Sequence, residues 1–158
     1  MDNSDQVILH AARLGNTEVL EELINRQVNV NAQDERGFTP LILACYNNQY
    51  NAAKLLLEAN ADVNASDFGG NTALMGVSFK GYPDIAELLI SYGADLNIQH
   101  GNGGTALMFA AMFGRNELVK ILMKHGADKY IVDARGLSVI DLAVQQGNEE
   151  ALLILGEE

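Results

Sequence analysis

Tryptophan is missing from this 158-residue chain, and only one cysteine and two prolines occur in it. The single Cys45 excludes an intramolecular disulfide framework and fits a reducing compartment. Basic residues are also scarce. Ten Lys and Arg stand against 21 Asp and Glu, which leaves a net charge of −11 and a pI near 4.5. That sign points away from nucleic acid, whose phosphates draw on clustered Lys and Arg, and away from a membrane surface. No apolar run approaches the ~18 residues a membrane span needs. The opening MDNSDQVILHAARLG lacks the basic stretch of a secretory signal, so a cytoplasmic location is expected. What remains is an ordinary globular composition, 48% hydrophobic and 20% charged. A chain of this length suffices for one domain burying roughly 70% of its unfolded surface.

The feature the chain does have is a period. GNTALMGVSFKGYPDIAELLISYGADLN starts at Gly70 and recurs 33 residues later, from Gly103, as GGTALMFAAMFGRNELVKILMKHGADKY. A fainter copy from Gly37 reads GFTPLILACYNNQYNAAKLLLEANADVN. The period divides the chain into units 1–33, 34–66, 67–99, 100–132 and 133–158. Glycine punctuates them at the fourth slot (Gly37, Gly70, Gly103, Gly136) and the fifteenth (Gly15, Gly81, Gly114, Gly147, with Asn48). The twenty-seventh slot holds Gly93 and Gly126, but Gln27 and Asn60 elsewhere. Gly and then Asn enter left-handed backbone cheaply, so these slots predict turns and helix C-caps, with a looser or strained cap at Gln27.

Between the turns the apolar pattern is helical. Thr39, Thr72, Thr105 and Ser138 precede short apolar segments and predict N-caps, while Pro40 and Pro83 suit the opening of helices. A second helix in each unit carries Leu23, Leu56, Leu89, Leu122 or Leu155 at one fixed place. Neither helix can bury its apolar face alone, so the units must stack.

This pattern resembles the ankyrin repeat family, whose unit runs roughly D-x-x-G-x-T-P-L-H-x-A-A, then a second helix and G-A-D-x-N. Asp34-Glu-Arg-Gly-Phe-Thr-Pro-Leu-Ile-Leu-Ala-Cys45 and Gly93-Ala-Asp-Leu-Asn97 carry the match, and the resemblance covers essentially the whole chain. It implies a mainly α fold: a solenoid of about five stacked helix-turn-helix units with short β-hairpin-like loops. The Thr-Ala-Leu-Met variant is similar to free-standing bacterial members. The family's histidine, which hydrogen-bonds between units, is replaced by Leu9, Ile42, Met75, Met108 and Asp141, so apolar packing is expected in its place.

Several residue sets invite a catalytic or metal reading. Asp34, Asp67, His100 and Asp133 occupy the first slot of successive units. Stacked helices lie about 8–10 Å apart, whereas a zinc ion needs every ligand near 2 Å from one point. These side chains are expected to accept turn N–H bonds instead. Cys45 stands in place of a small alanine and reads as buried packing. His125 before Gly126 reads as a cation at a helix C-terminus. Ser78 and Ser138 have no activating His nearby in sequence, and Gly101-Asn-Gly-Gly104 lacks the Lys-Ser or Lys-Thr of a phosphate loop. No catalytic residue, metal site or cofactor is expected.

In the ankyrin family, partners contact the loop tips and the exposed side of the first helix, here slots two, three, five, thirteen and fourteen. The resemblance therefore implies a partner-binding set of Phe38, Tyr46, Phe68, Asn71, Phe79, Lys80, Asn102, Met112, Phe113, Arg135 and Leu137. Four of the five phenylalanines fall in those slots, and aromatics, Met and Arg are enriched at interface centres. Phe38 and Phe68 are open to two readings: packing between neighbouring loops, or partner contact. Tyr46, Phe79, Met112 and Phe113 are expected to form an exposed patch, and packing alone explains Phe109.

The acidic residues at the two ends, among them Asp2, Asp5, Glu149, Glu150, Glu157 and Glu158, read as solvated caps that can steer a basic partner. Leu153 breaks the pattern of Glu21, Lys54, Glu87 and Lys120, and it leaves open an inward fold, a dimer contact or a further segment. The expected function is a non-catalytic protein-binding module with another protein as partner, no nucleic acid or membrane, and a monomeric state. A self-associating scaffold is the alternative, and an enzyme stays a rival only if a deep pocket gathers ionisable groups.

Overall fold

The computed structural model describes residues 2–156, so Glu157 and Glu158 of the acidic end lie outside the described residues. Its helices come in pairs: α1 (Asn3–Leu14) with α2 (Thr17–Asn25), α3 (Pro40–Tyr46) with α4 (Tyr50–Glu58), and α5 (Ala73–Lys80) with α6 (Pro83–Ser91). Then follow α7 (Ala106–Met112) with α8 (Asn116–Lys124), and α9 (Val139–Gln146) with α10 (Glu149–Leu155). The first helices of the pairs pack in one row, α1 on α3 on α5 on α7 on α9. The second helices form a parallel row behind them. This is a helical repeat solenoid.

Local chemistry sets each helix start. The hydroxyls of Thr39, Thr72, Thr105 and Ser138, on extended backbone, accept the N–H of the third helical residue. Pro40 and Pro83 open their helices, where a missing N–H costs little. The leucine at the fixed place of each second helix is buried in all five pairs. Truncating one of these to alanine is expected to cost about 2–5 kcal/mol.

The turn slots behave as one class. All ten glycines in them have positive φ, and the remaining positive-φ residues among those described are Gln27, Asn48 and Asn60, at 60°, 58° and 67°. Asn tolerates this region by bonding locally, whereas Gln has no such compensation, so Gln27 is the strained cap. At Gly103 two demands coincide: φ is 84°, and a Cβ there would sit 2.7 Å from the Ala134 nitrogen.

That close approach comes from loops zipped to one another. The N–H groups of Phe68, Gly101 and Ala134 donate to the carbonyls of Arg36, Gly69 and Asn102 at 2.9–3.0 Å. Isolated antiparallel bridges, Ser66 with Thr72 and Val132 with Ser138, give the loops their hairpin character. A second ladder runs through the segments that follow the second helices. There the Oδ1 atoms of Asn31, Asn64 and Asn97 accept the N–H of Asp62, Asp95 and Asp128 at 2.8–2.9 Å.

One expectation changes, and one open reading narrows. Leu9, Ile42, Met75 and Met108 are buried where the family has histidine, but Asp141 is exposed. Its carboxylate instead accepts from the Ser138 N–H and hydroxyl, closing a capping box at the start of α9. Leu153 does not fold inward: it is 74% exposed. Ile140 and Val144 of α9 are exposed as well, on a side of the helix that no other described helix pair covers.

Candidate functional site

Slots thirteen and fourteen fall at the C-terminal ends of α3, α5 and α7, since the hydroxyl cap fixes where each helix starts and the next turn where it stops. The stacking of helices then brings the side chains together. Tyr46 and Phe79 stack with ring centroids 6.4 Å apart and planes 10° from parallel. Phe113 meets Phe79 edge-on, at 4.6 Å and 88°. The Lys80 ammonium lies 5.0 Å from the Tyr46 ring centroid, within cation–π range. The result is a ladder of aromatics across three helix pairs, with Tyr46 43% and Phe113 45% exposed and Phe79 half-buried between them.

Two grooves flank this ladder. The first lies between the α3 and α5 pairs, has a cavity volume of about 500 Å³, and is walled by Phe38, Ile42, Tyr46, Met75, Phe79 and Phe109. The second lies between the α7 and α9 pairs and is smaller, about 320 Å³, with His100, Met108, Met112, Arg135 and Leu142 on its walls.

The residues expected from sequence divide accordingly. Tyr46, Phe79, Lys80 and Phe113 come together. Met112 is half-buried and belongs to the second groove. Phe38 is half-buried against the core and also lines the first groove, whereas Phe68 is 72% exposed, its ring lying over Gly37 of the neighbouring loop. The remaining four sit on the loops. The Asn71 amide contacts the Asp67 carboxylate. The Asn102 carbonyl accepts the Ala134 N–H, while its side chain is exposed. Leu137 is half-buried on the core, and Arg135 pairs with Asp133 at 2.9 Å.

The first-slot column serves the loops. Oδ1 of Asp34, Asp67 and Asp133 each accepts two backbone N–H groups two and four residues on. His100 accepts one, from Gly104 at 2.9 Å, through Nδ1. The Leu137 N–H holds the Asp133 carboxyl below the ordinary aspartate range. Partial desolvation opposes this, and the Arg135 guanidinium and N–H reinforce it. Among the described residues no group of three or more His, Cys, Asp or Glu is placed to hold a metal ion. Burial pushes the Cys45 thiol far up, away from the thiolate a nucleophile needs. His125 closes α8 and also meets Glu87 at 3.1 Å.

Three residues escaped the sequence reading. Arg115 reaches back 36 residues, its Nε donating to the Phe79 carbonyl at 2.9 Å, and so anchors the middle rung of the ladder. Nothing local to Arg115 signals that. Phe109, expected to do nothing but pack, is half-buried, lines both grooves and meets the His100 ring edge-on at 5.2 Å. Gly76 floors the first groove from inside α5. Its signal was present in the sequence: the tenth slot holds His10, Leu43, Phe109 and Leu142 in the other units, each with a large side chain.

A family model described as ankyrin repeats in three copies matches residues 1–67 and 74–158. Among curated proteins, a stretch of 55 residues is 38% identical to the palmitoyltransferase akr1 of Emericella nidulans, covering 34% of this chain and 8% of that protein. A stretch of 61 residues is 44% identical to a transient receptor potential cation channel subfamily A member 1 homolog of Caenorhabditis elegans, covering 38% of this chain and 5% of that one. The chain thus spans less than a tenth of either relative. Ankyrin repeats are generally protein–protein interaction modules, and the family's fold is a non-enzymatic one. With paired helices in two rows, zipped loops, glycine-type turns at fixed slots and this match along both halves, the chain belongs to the ankyrin repeat family.

Proposed function

We propose that residues 1–158 act as one non-catalytic module that binds another protein through its concave face, centred on Tyr46, Phe79 and Phe113. The observation that carries this reading is the aromatic ladder: Phe79 in contact with Tyr46 on one side and Phe113 on the other, the outer two nearly half exposed, on adjoining helix ends. Rings already packed against one another lose little freedom when a partner covers them, so binding is not offset by much ordering. A standard interface buries ~1,600 Å² in total, a size that a face of four or five units can supply. The expected context is cytoplasmic and monomeric, with no nucleic acid or membrane as partner. No described helix is long and apolar enough to cross a membrane. The test is to measure the affinity of a partner captured from the native host for wild type and for the double substitution Phe79→Ala with Phe113→Ala. Unchanged affinity removes this patch from the reading.

A second reading has its own support. Ile140, Val144 and Leu153 leave an exposed apolar end on the last helix pair, as a self-associating scaffold requires. Sedimentation that stays monomeric across a wide concentration range rules that alternative out.

A further inference from the structure

We propose that the groove over Gly76 accepts one large apolar side chain from an acidic partner segment, whose carboxylates meet Arg36 and Lys80. This rests on the reading that the face binds protein, and narrows it to one pocket and one partner chemistry.

Gly76 is where the observations converge. It sits inside α5, where glycine is less favourable than any residue except proline. The usual reasons for a glycine fail here. Its φ is not in the left-handed region, unlike the ten turn glycines. No backbone crowds it either: a Cβ would first meet Cδ1 of Tyr46, at 3.3 Å, on a side chain exposed enough to give way. The fold therefore does not require glycine at this slot. What glycine does is leave the groove open between Tyr46 and Phe79, with apolar walls from Phe38, Ile42, Met75 and Phe109. A cavity of about 500 Å³ with such walls suits a large apolar side chain and the backbone that carries it.

The charge at the rim sets the rest of the partner chemistry. In a chain of net charge −11, this rim carries Arg36 in the groove wall and Lys80 beside it over the Tyr46 ring. Neither cation has a carboxylate within ion-pair distance among the described residues. The groove's own carboxylate, Asp67, is turned into its loop, where it accepts the N–H groups of Gly69 and Asn71. Glu35 is exposed on the Arg36 loop but does not line the groove. Much of the acidic excess lies on the second-helix row, for example Glu18, Glu87 and Glu117. Screening acts over ~8 Å at physiological ionic strength, so contacts in the groove are decided by the nearby cations.

The experiment probes the full chain against an array of synthetic ten-residue peptides. Their centres are Phe, Trp, Leu or Ser, and their flanks are Asp and Glu, Lys and Arg, or Ser and Gly. Acidic-flanked peptides with an apolar centre are expected to bind about tenfold better than basic-flanked ones. In solution titration of the best peptide, Gly76→Leu is expected to weaken binding by about tenfold or more, with Gly76→Ala intermediate. Arg36→Glu with Lys80→Glu is expected to reverse the flank preference. Gly76→Leu should melt no lower than wild type, which separates a filled groove from a damaged fold. Gly76→Ala, the smaller intrusion, carries the test if it does not.

Indifference to the centre residue, a preference for basic flanks, or unchanged binding by both Gly76 variants overturns the proposal. If Phe79→Ala with Phe113→Ala abolishes partner binding while both Gly76 variants bind as wild type, the groove assignment falls and the face survives. If the captured partner ignores the Phe79 and Phe113 substitutions while peptide binding follows Gly76, the groove stands and the aromatic-patch reading falls.

Discussion

The two grooves share a backbone plan and differ through single slots. In the first, the tenth slot of α5 is Gly76, and the rim cations Arg36 and Lys80 have no carboxylate at ion-pair distance. In the second, the tenth slots of α7 and α9 carry Phe109 and Leu142, the space shrinks to about 320 Å³, and Arg135 is bound to Asp133. In this stack the repeat supplies the walls. One side chain decides whether a groove has depth, and one ion pair decides whether its cation is available.

The comparison predicts unequal consequences for binding. Phe79→Ala with Phe113→Ala is expected to weaken a captured partner about 100-fold, as loss of two central anchors does. Met112→Ala with Arg135→Ala at the second groove should change it by less than about threefold. Surface plasmon resonance on matched surfaces checks both. Equal losses would erase the distinction between the grooves.

The loop beneath each groove offers a smaller contrast. Asp67 accepts two backbone N–H bonds at 2.9 Å, whereas His100 accepts one. Urea unfolding should therefore show Asp67→Ala costing about 2 kcal/mol and His100→Ala about 1 kcal/mol. His100→Asp restores the second acceptor and should recover part of that stability.

Converting the first groove toward the second is expected to stabilise the chain. Gly76→Ala, whose Cβ meets only the yielding Tyr46 ring, should raise stability by up to about 1 kcal/mol in thermal melts, because a helix-interior glycine is removed. Stability gained while binding is lost marks a residue kept for function.

The smallest effect belongs to Asp133 in the second groove. Its carboxyl is held below the ordinary range in the folded state. The stability it contributes is thus present above that range and is lost as pH falls through the folded value. The difference in melting temperature between wild type and Asp133→Asn should shrink on acidification. A difference that holds constant into strong acid would show that the carboxylate charge is immaterial there.

Much of the architecture could be read from residue types, because the turn slots need a backbone conformation that few residues adopt. Gly37, Gly81 and Gly126 marked their turns unaided, and Asn48, Asn60 and Gln27 stood out as the stand-ins. The buried leucines of the second helices and the threonine caps were legible for the same reason, since each obeys a local geometric rule. The site was legible only as a set of slots. The slots held Tyr46, Phe79 and Phe113, but also Asn71 and Arg135, whose side chains are occupied within their own loops.

The sequence by itself determined the helix pairs, their ends and their order. These follow from interactions within a few residues, repeated every 33. Only the tertiary structure decided which rings touch, how Arg115 holds the Phe79 carbonyl, and that the missing side chain at Gly76 opens a groove. Each of these depends on distances between neighbouring helix pairs, set by how side chains interlock across the stack. A slot pattern along one chain carries no such distance.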